Sequence, residues 1–135
     1  MVIHLTFYGN PRTKKNSSQI VKCRGRYMII PSKLYKDYEK ECLPSCEERM
    51  ISAPVNLRCV YYMATRRRVD LVNLLEATQD ILVKGKVITD DNSQIIVSVD
   101  GSRVDYDKQN PRVEIYIEPL EIEEENKLSG LLTEE

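Results

Sequence analysis

Residues 55–83 read VNLRCVYYMATRRRVDLVNLLEATQDILV, and this run sets the architecture of the chain. Val55 to Met63 is rich in β-branched and aromatic side chains and predicts a central strand. Leu71 to Val83 predicts an amphipathic helix, because its apolar residues cluster within about 120° of arc. The clustered residues are Leu71, Leu74, Leu75, Thr78, Ile81 and Leu82. Asp70 occupies the N-cap position, and Lys84-Gly85-Lys86 provides a stop.

Shorter patterns on either side predict five more strands and one more helix. Strand-like residues occupy Met1 to Tyr8, Gln94 to Val99 and Val113 to Glu118. Gln19 to Ile30 fits a hairpin that turns at Arg24-Gly25-Arg26. A helix is expected from Lys33 to about Glu48, with a break near Leu43 because Pro44 follows. The order β-β-β-α-β-α-β-β predicts an α/β or α+β fold, a mixed β-sheet packed with two main helices.

Charge is distributed unevenly along the 135 residues, a length that suits one domain. Residues 1–60 carry 11 Lys/Arg against 5 Asp/Glu, whereas residues 118–135 carry 1 against 7. The net charge of −1 therefore conceals a basic body and an acidic end. We expect residues 1–118 to form the folded domain and residues 119–135 an acidic tail. The tail is either flexible or a short docked helix that uses its leucines.

The patterns that report on compartment favour the cytoplasm. No apolar run approaches the roughly 18 residues of a membrane span, and the N-terminus lacks the features of a signal peptide. The four cysteines contain no C-x2-C pair, which favours free thiols over disulfides or zinc. We expect a cytoplasmic protein that makes no membrane contact.

Carboxylates at both ends of the helix are candidate ligands for a hard divalent cation. Mg²⁺ or Mn²⁺ needs only two or three convergent carboxylates, and Asp70, Asp90 and Asp91 are available. The spacing does not ensure that they converge, since one helix separates Asp70 from the Asp90-Asp91 pair. The alternative is that Asp70 is only an N-cap and that Asp90 and Asp91 belong to a solvated turn.

Basic residues next to these acids suit the phosphate backbone of a nucleic acid. Three consecutive arginines lead into Asp70, and further cations lie in the loop after the first strand and in the hairpin turn. These residues are Arg66, Arg67, Arg68, Lys14, Lys15, Arg24 and Arg26. A solvated, purely soluble surface is the alternative. There is no glycine-rich phosphate loop or motif for an organic cofactor, and a Ser-His-Asp set would have to use His4, the one histidine.

The combined pattern resembles the RusA family of Holliday junction resolvases. The residues that carry the likeness are RRVDLVNL at 67–74 and, after a helix, Asp90-Asp91. It extends from the N-terminal strand, with its basic Lys14-Lys15-Asn16 loop, to about Ile117. The resemblance implies a homodimeric endonuclease that needs Mg²⁺ or Mn²⁺ and cuts branched DNA at four-way junctions. It makes residues 1–118 a RusA-like nuclease domain and places the acidic tail outside it.

The resemblance also assigns roles to individual residues. Asp70 and Asp91 resemble the essential metal-binding aspartates of the family, Asp90 accompanies Asp91, and Asn73 matches the family asparagine. We expect Asn73 and Asn16 to join the basic residues at the DNA.

One departure from the family pattern affects the metal site. Well-known members have an aspartate where this chain has Val72 and a lysine where it has Glu76. Positions 72 and 76 are one helical turn apart on the same face. We hypothesise that Glu76 replaces the missing ligand, which gives Asp70, Asp91 and Glu76 as catalytic residues. The role of the lysine then passes to Lys84 or to an arginine of the run. Two alternatives stay open: a non-catalytic DNA-binding relative, and a metal nuclease that acts on flaps or RNA.

Overall fold

A computed structural model describes residues 1–14, 18–31 and 33–120 of the chain. The strands in these ranges are β1 (Ile3–Tyr8), β2 (Ser18–Cys23), β3 (Arg26–Pro31), β4 (Val55–Met63), β5 (Ile96–Ser98), β6 (Arg103–Tyr106) and β7 (Arg112–Pro119). The helices are α1 (Lys33–Cys42) and α2 (Leu71–Lys84), and a short 3-10 helix at Leu43–Ser45 follows α1. Lys15, Asn16 and the acidic tail beyond residue 120 lie outside the described residues.

The main sheet is mixed and is built around β4. Strand β7 lies between β1 and β4 and is antiparallel to both. The other edge of β4 pairs in parallel with two short strands, β5 near Val55 and β6 from Val60 to Met63. Strands β2 and β3 form a separate two-stranded hairpin. This arrangement confirms the predicted α+β fold with a mixed sheet.

The hydrophobic core lies between one face of this sheet and the helices. Burial alternates along β7, where Val113, Ile115 and Ile117 are fully buried and the residues between them are half-buried. Helix α2 contributes Leu74, Leu75, Ile81 and Leu82 to the same cluster, so most of its predicted apolar face is confirmed as the buried one. The described helices are too short or too polar to traverse a lipid bilayer. All four cysteines are free thiols, as predicted.

The structure differs from the sequence prediction at two points. Strand β6 was not predicted, because it is four residues long and mostly exposed and so lacks a clear alternation. Helix α1 ends at Cys42 rather than near Glu48. The break at Leu43 occurs as predicted, since Pro44 has no amide hydrogen and the chain continues as a 3-10 turn.

A buried hydrogen-bond chain joins β4 to α2. The Thr78 hydroxyl lies 3.0 Å from the carbonyl oxygen of Leu74 and 2.7 Å from the Tyr61 hydroxyl. Thr78 has a single hydroxyl hydrogen, which it donates to Leu74, so the Tyr61 hydroxyl is the donor to Thr78. The two side chains therefore fix the helix on the sheet with one defined direction of donation.

This direction predicts that two nearly isosteric substitutions differ in cost. Thr78→Val removes the oxygen that accepts from the buried Tyr61 hydroxyl, leaves only the weakly accepting Cys59 sulfur near it, and should lower the free energy of unfolding by about 2 kcal/mol. Tyr61→Phe leaves the Thr78–Leu74 bond intact and should cost about 1 kcal/mol. Urea unfolding of both variants measures the difference. A larger loss for Tyr61→Phe would contradict the assigned direction.

Candidate active site and nucleic-acid interface

The N-terminus of α2 is capped by Asp70. Its backbone is extended, with φ −88° and ψ 115°, and its Oδ1 accepts a hydrogen bond of 2.9 Å from the amide of Val72. The predicted N-cap is therefore confirmed. One oxygen of this carboxylate, Oδ1, therefore accepts the capping hydrogen bond of the helix.

A groove of about 580 Å³ lies beside this helix end and carries three guanidinium groups. Arg67 and Arg68 come from the segment after β4, and Arg12 comes from the loop after β1. The Oδ1 of Asn10 accepts a hydrogen bond of 3.0 Å from the amide of Ala64, which ties that loop to the end of β4. We call Arg12, Arg67 and Arg68 the arginine groove. No ion pair between described residues uses any of the three.

The arginine groove is a favourable place for an anion. The unpaired amides at a helix N-terminus and the helix dipole both favour negative charge there. Arg66 points elsewhere, since its guanidinium stacks 4.2 Å over the ring of Tyr106. Arg12 was not among the predicted DNA-binding residues, although its position at the start of the basic loop could have identified it.

A second pocket, of about 370 Å³, lies near the C-terminal half of α2 and is predominantly acidic. We call it the acidic pocket, and its lining residues are Lys14, Glu39, Asp80, Val83, Lys84, Asp90 and Asp91. Two ion pairs join residues that line it: Lys14 Nζ lies 2.7 Å from Asp80 Oδ2, and Lys84 Nζ lies 2.6 Å from Glu39 Oε1. Four carboxylates against two ammonium groups leave the pocket negative.

Asp90 and Asp91 differ in how their charges are compensated. Asp90 Oδ1 accepts a hydrogen bond of 2.8 Å from the amide of Asp91, and Oδ2 accepts one of 3.1 Å from the Asn92 side chain. These bonds lower the pKa of Asp90. The pKa of Asp91 is raised, first by desolvation and then by a hydrogen bond with Asp90 and by the charges of Asp90 and Asp80. Asp90 thus holds the turn, and Asp91 carries the uncompensated charge.

The donor chemistry of the acidic pocket fits a hydrated divalent cation. Within the described ranges, no group of three or more Asp, Glu, His or Cys side chains is arranged to hold a metal alone. Asp80 and Asp91 nevertheless line the same pocket, and the charge of Asp80 contributes to raising the pKa of Asp91. Mg²⁺ is commonly bound by one or two carboxylates, with waters and substrate phosphates as the other ligands. The pair therefore fits a cation whose coordination the substrate completes.

Asp80 was missing from the predicted site residues. The helical spacing could have identified it, because positions 72, 76, 80 and 84 recur every four residues along one exposed ridge of α2. Val72 is 70% exposed on this ridge, and Glu76 lies one turn, about 6 Å, before Asp80. Glu76 is exposed and does not line the acidic pocket.

The structure does not bring Asp70 to the acidic pocket. Ten residues of helix separate it from Asp80, a rise of about 15 Å along the axis. Arg24 and Arg26 lie at the exposed tip of the β2–β3 hairpin, where Arg24 has φ 52° and Gly25 has φ 78°. Asn73 is half-buried near the start of α2. The structure therefore groups Asp90, Asp91 and Lys14 with Asp80, and places Asp70, Asn73, Glu76 and the predicted arginines outside the acidic pocket.

The loop between Asn10 and Lys14 connects the two pockets. Asn10 to Thr13 line the arginine groove, and Lys14 reaches Asp80 in the acidic pocket. The loop therefore follows α2 from its N-terminus to its third turn. A strand of nucleic acid along this side of the helix would meet positive charge first and carboxylates next.

Comparison with known proteins identifies a family. The family model described as Endodeoxyribonuclease RusA matches residues 8–118, which covers most of the chain. The comparison with individual curated proteins gives no match. The matched range includes the arginine groove, helix α2 and the acidic pocket.

The proximity of Asp80 to Asp91 makes a prediction about ionisation. Asp80→Asn removes one of the causes that raise the pKa of Asp91, so that pKa should fall, although desolvation and Asp90 still keep it above the usual value. A group with a raised pKa in the folded state costs stability as pH rises through the window between its unfolded and folded values. The free energy of unfolding that is lost in this pH window should therefore be smaller in Asp80→Asn than in the wild-type protein.

Titration of the Asp91 carboxyl carbon by NMR, without metal, measures this shift. Asp37→Asn, on helix α1 and outside the acidic pocket, is the matched control. An Asp91 pKa that is unchanged in Asp80→Asn would contradict the proximity of the two carboxylates.

Proposed function

The chain belongs to the RusA family of endodeoxyribonucleases, and we propose that it resolves Holliday junctions by metal-dependent, paired symmetric nicks. The family acts on branched DNA. One observation carries the proposal for the chemistry: the acidic pocket, with Asp80 and Asp91, lies along the same helix as the arginine groove. Metal-assisted hydrolysis of a phosphodiester requires both a cation site and a surface that holds the backbone next to it.

The acidic pocket would supply the catalytic centre. Asp80 and Asp91 would hold Mg²⁺ or Mn²⁺, and Asp90 would keep the turn of Asp91 in place through its two accepted hydrogen bonds. When bound, a divalent cation neutralises charge on the phosphate and lowers the pKa of a water. Desolvation is the largest cause of the raised pKa of Asp91, and the charges of Asp90 and Asp80 add to it. A bound cation would relieve this repulsion.

The arginine groove would position the DNA strand away from the cut. It lies at the N-terminus of α2, about 15 Å along the axis from Asp80, which corresponds to about four nucleotides at 3.4 Å each. Contacts of this kind fix register and do not read sequence. We therefore infer that selection of the junction depends on the shape and deformability of branched DNA.

Two symmetric nicks require two copies of this site. A dimer with twofold symmetry presents identical sites to opposite strands, and the junction itself has that symmetry. The proposal is therefore that a homodimer is the active form.

The experiment that tests the proposed function is cleavage of a synthetic four-way junction with Mg²⁺. We expect paired nicks at symmetric positions, with little cutting of a linear duplex of the same sequence. Asp91→Asn and Asp80→Asn should each lower the rate by about a hundredfold or more. Flap and RNA substrates serve as controls, and preferential cutting of either would contradict the proposed substrate.

The family likeness assigns Asp70 to the same chemistry, and the helical spacing from Val72 suggests Glu76 as a replacement ligand, so variants of these two residues are tested separately. Asn caps a helix as well as Asp does, so Asp70→Asn should leave thermal stability unchanged. Loss of cleavage in Asp70→Asn or Glu76→Gln would then report a role in the reaction. Cleavage by Asp70→Asn at the wild-type rate would restrict Asp70 to capping.

A further inference from the structure

We propose that Lys14 is a catalytic residue. It forms an ion pair with Asp80 before the divalent cation binds, and it contacts the scissile phosphate afterwards. The inference rests on the proposed function, since it assigns the cation and the phosphate to the acidic pocket. It concerns a residue of the loop, not of helix α2.

The position of the Lys14 ammonium carries the inference. Its Nζ lies 2.7 Å from Asp80 Oδ2 and 5.7 Å from the centre of the Tyr35 ring. The Tyr35 side chain is buried, and Glu39 and Asp80 join burial in raising its pKa. Tyr35 therefore lies behind the acidic pocket, next to residues that line it. The ammonium group is held between this ring and Asp80, a carboxylate that also fits the cation.

The Lys14–Asp80 pair is weak enough to exchange. The two side chains are 40% and 32% exposed, and ion pairs with this degree of exposure contribute little net stability. A divalent cation competes for Asp80 with twice the charge. The flexible four-carbon stem of lysine lets the ammonium remain in the pocket after it leaves Asp80, where it can pair with a phosphate oxygen as a point charge.

Lys84 provides the matched comparison within the same pocket. Its Nζ lies 2.6 Å from Glu39 Oε1, so the type of contact is the same, but Glu39 lies on helix α1 and its side chain is only 16% exposed. Removing either lysine removes one positive charge near the cation. Removal of Lys14 frees Asp80, the carboxylate assigned to the cation, whereas removal of Lys84 frees the less exposed Glu39.

The structure therefore predicts opposite effects of Lys14→Gln on two measurements. Without DNA, Mn²⁺ affinity should rise by about two- to fivefold, the range expected when an exposed ion pair no longer competes. This rise should exceed the one in Lys84→Gln, which reports the general effect of losing a charge. With a junction and Mg²⁺, single-turnover cleavage should fall by about ten- to a hundredfold.

Both measurements use the full chain, with electron paramagnetic resonance of Mn²⁺ for affinity and gel analysis of junction strands for cleavage. Lys14→Arg retains a charge that can pair with Asp80, so it should return Mn²⁺ affinity to the wild-type value. A purely structural role for Lys14 would weaken metal binding and cleavage together.

Three results would overturn the proposal for Lys14: an unchanged or weaker Mn²⁺ affinity in Lys14→Gln, a rise no larger than that in Lys84→Gln, or wild-type cleavage by Lys14→Gln. The Mn²⁺ titration needs no DNA. It therefore tests the competition for Asp80 even if the wild-type chain fails to cut junctions, a result that would refute the proposed function instead.

Discussion

The burial of one face of α2 against the sheet is the constraint on which the rest of the site depends. Leu74, Ile81 and Leu82 are fully buried or nearly so, and the Tyr61–Thr78 hydrogen bond adds a directional contact to the same packing. A helix fixed on one face has no rotational freedom left for the opposite face. The ridge that carries Glu76 and Asp80 therefore points away from the core, towards the loop that contains Lys14.

Charge along α2 changes sign over a short distance. Arg12, Arg67 and Arg68 surround its N-terminus, where the helix dipole adds further positive potential, and the carboxylates gather towards its other end. Opposite charges on one helix can hold a phosphate backbone at one end and a cation near the other. Because the loop after β1 contributes Arg12 to one pocket and Lys14 to the second, this loop couples the two.

The sequence was sufficient for most of the fold because local patterns determine it. Local signals predict β4, the N-cap at Asp70 and the helix from Leu71, namely β-branched and aromatic composition, capping and helical periodicity. Strand β6 escaped prediction because its partner, β4, is about 40 residues away and its own residues are mostly exposed. An edge strand of this kind is defined by its pairing more than by its composition.

The site was predicted less completely, because its central contact joins distant residues. Lys14 and Asp80 are far apart in sequence, and neither a basic loop nor a helical aspartate indicates by itself that they meet. The family likeness directed attention to Asp91, but it could not show that Asp80, rather than Asp70, lines the same pocket. That difference follows from the length of α2, which separates its two ends by about 20 Å.

The metal site is tested most directly by the position of Mn²⁺ in crystals of the protein, located by its anomalous scattering. We expect a peak in the acidic pocket, within coordination distance of Asp80 and Asp91. A peak at the Asp70 end of α2, with none in the acidic pocket, would contradict it.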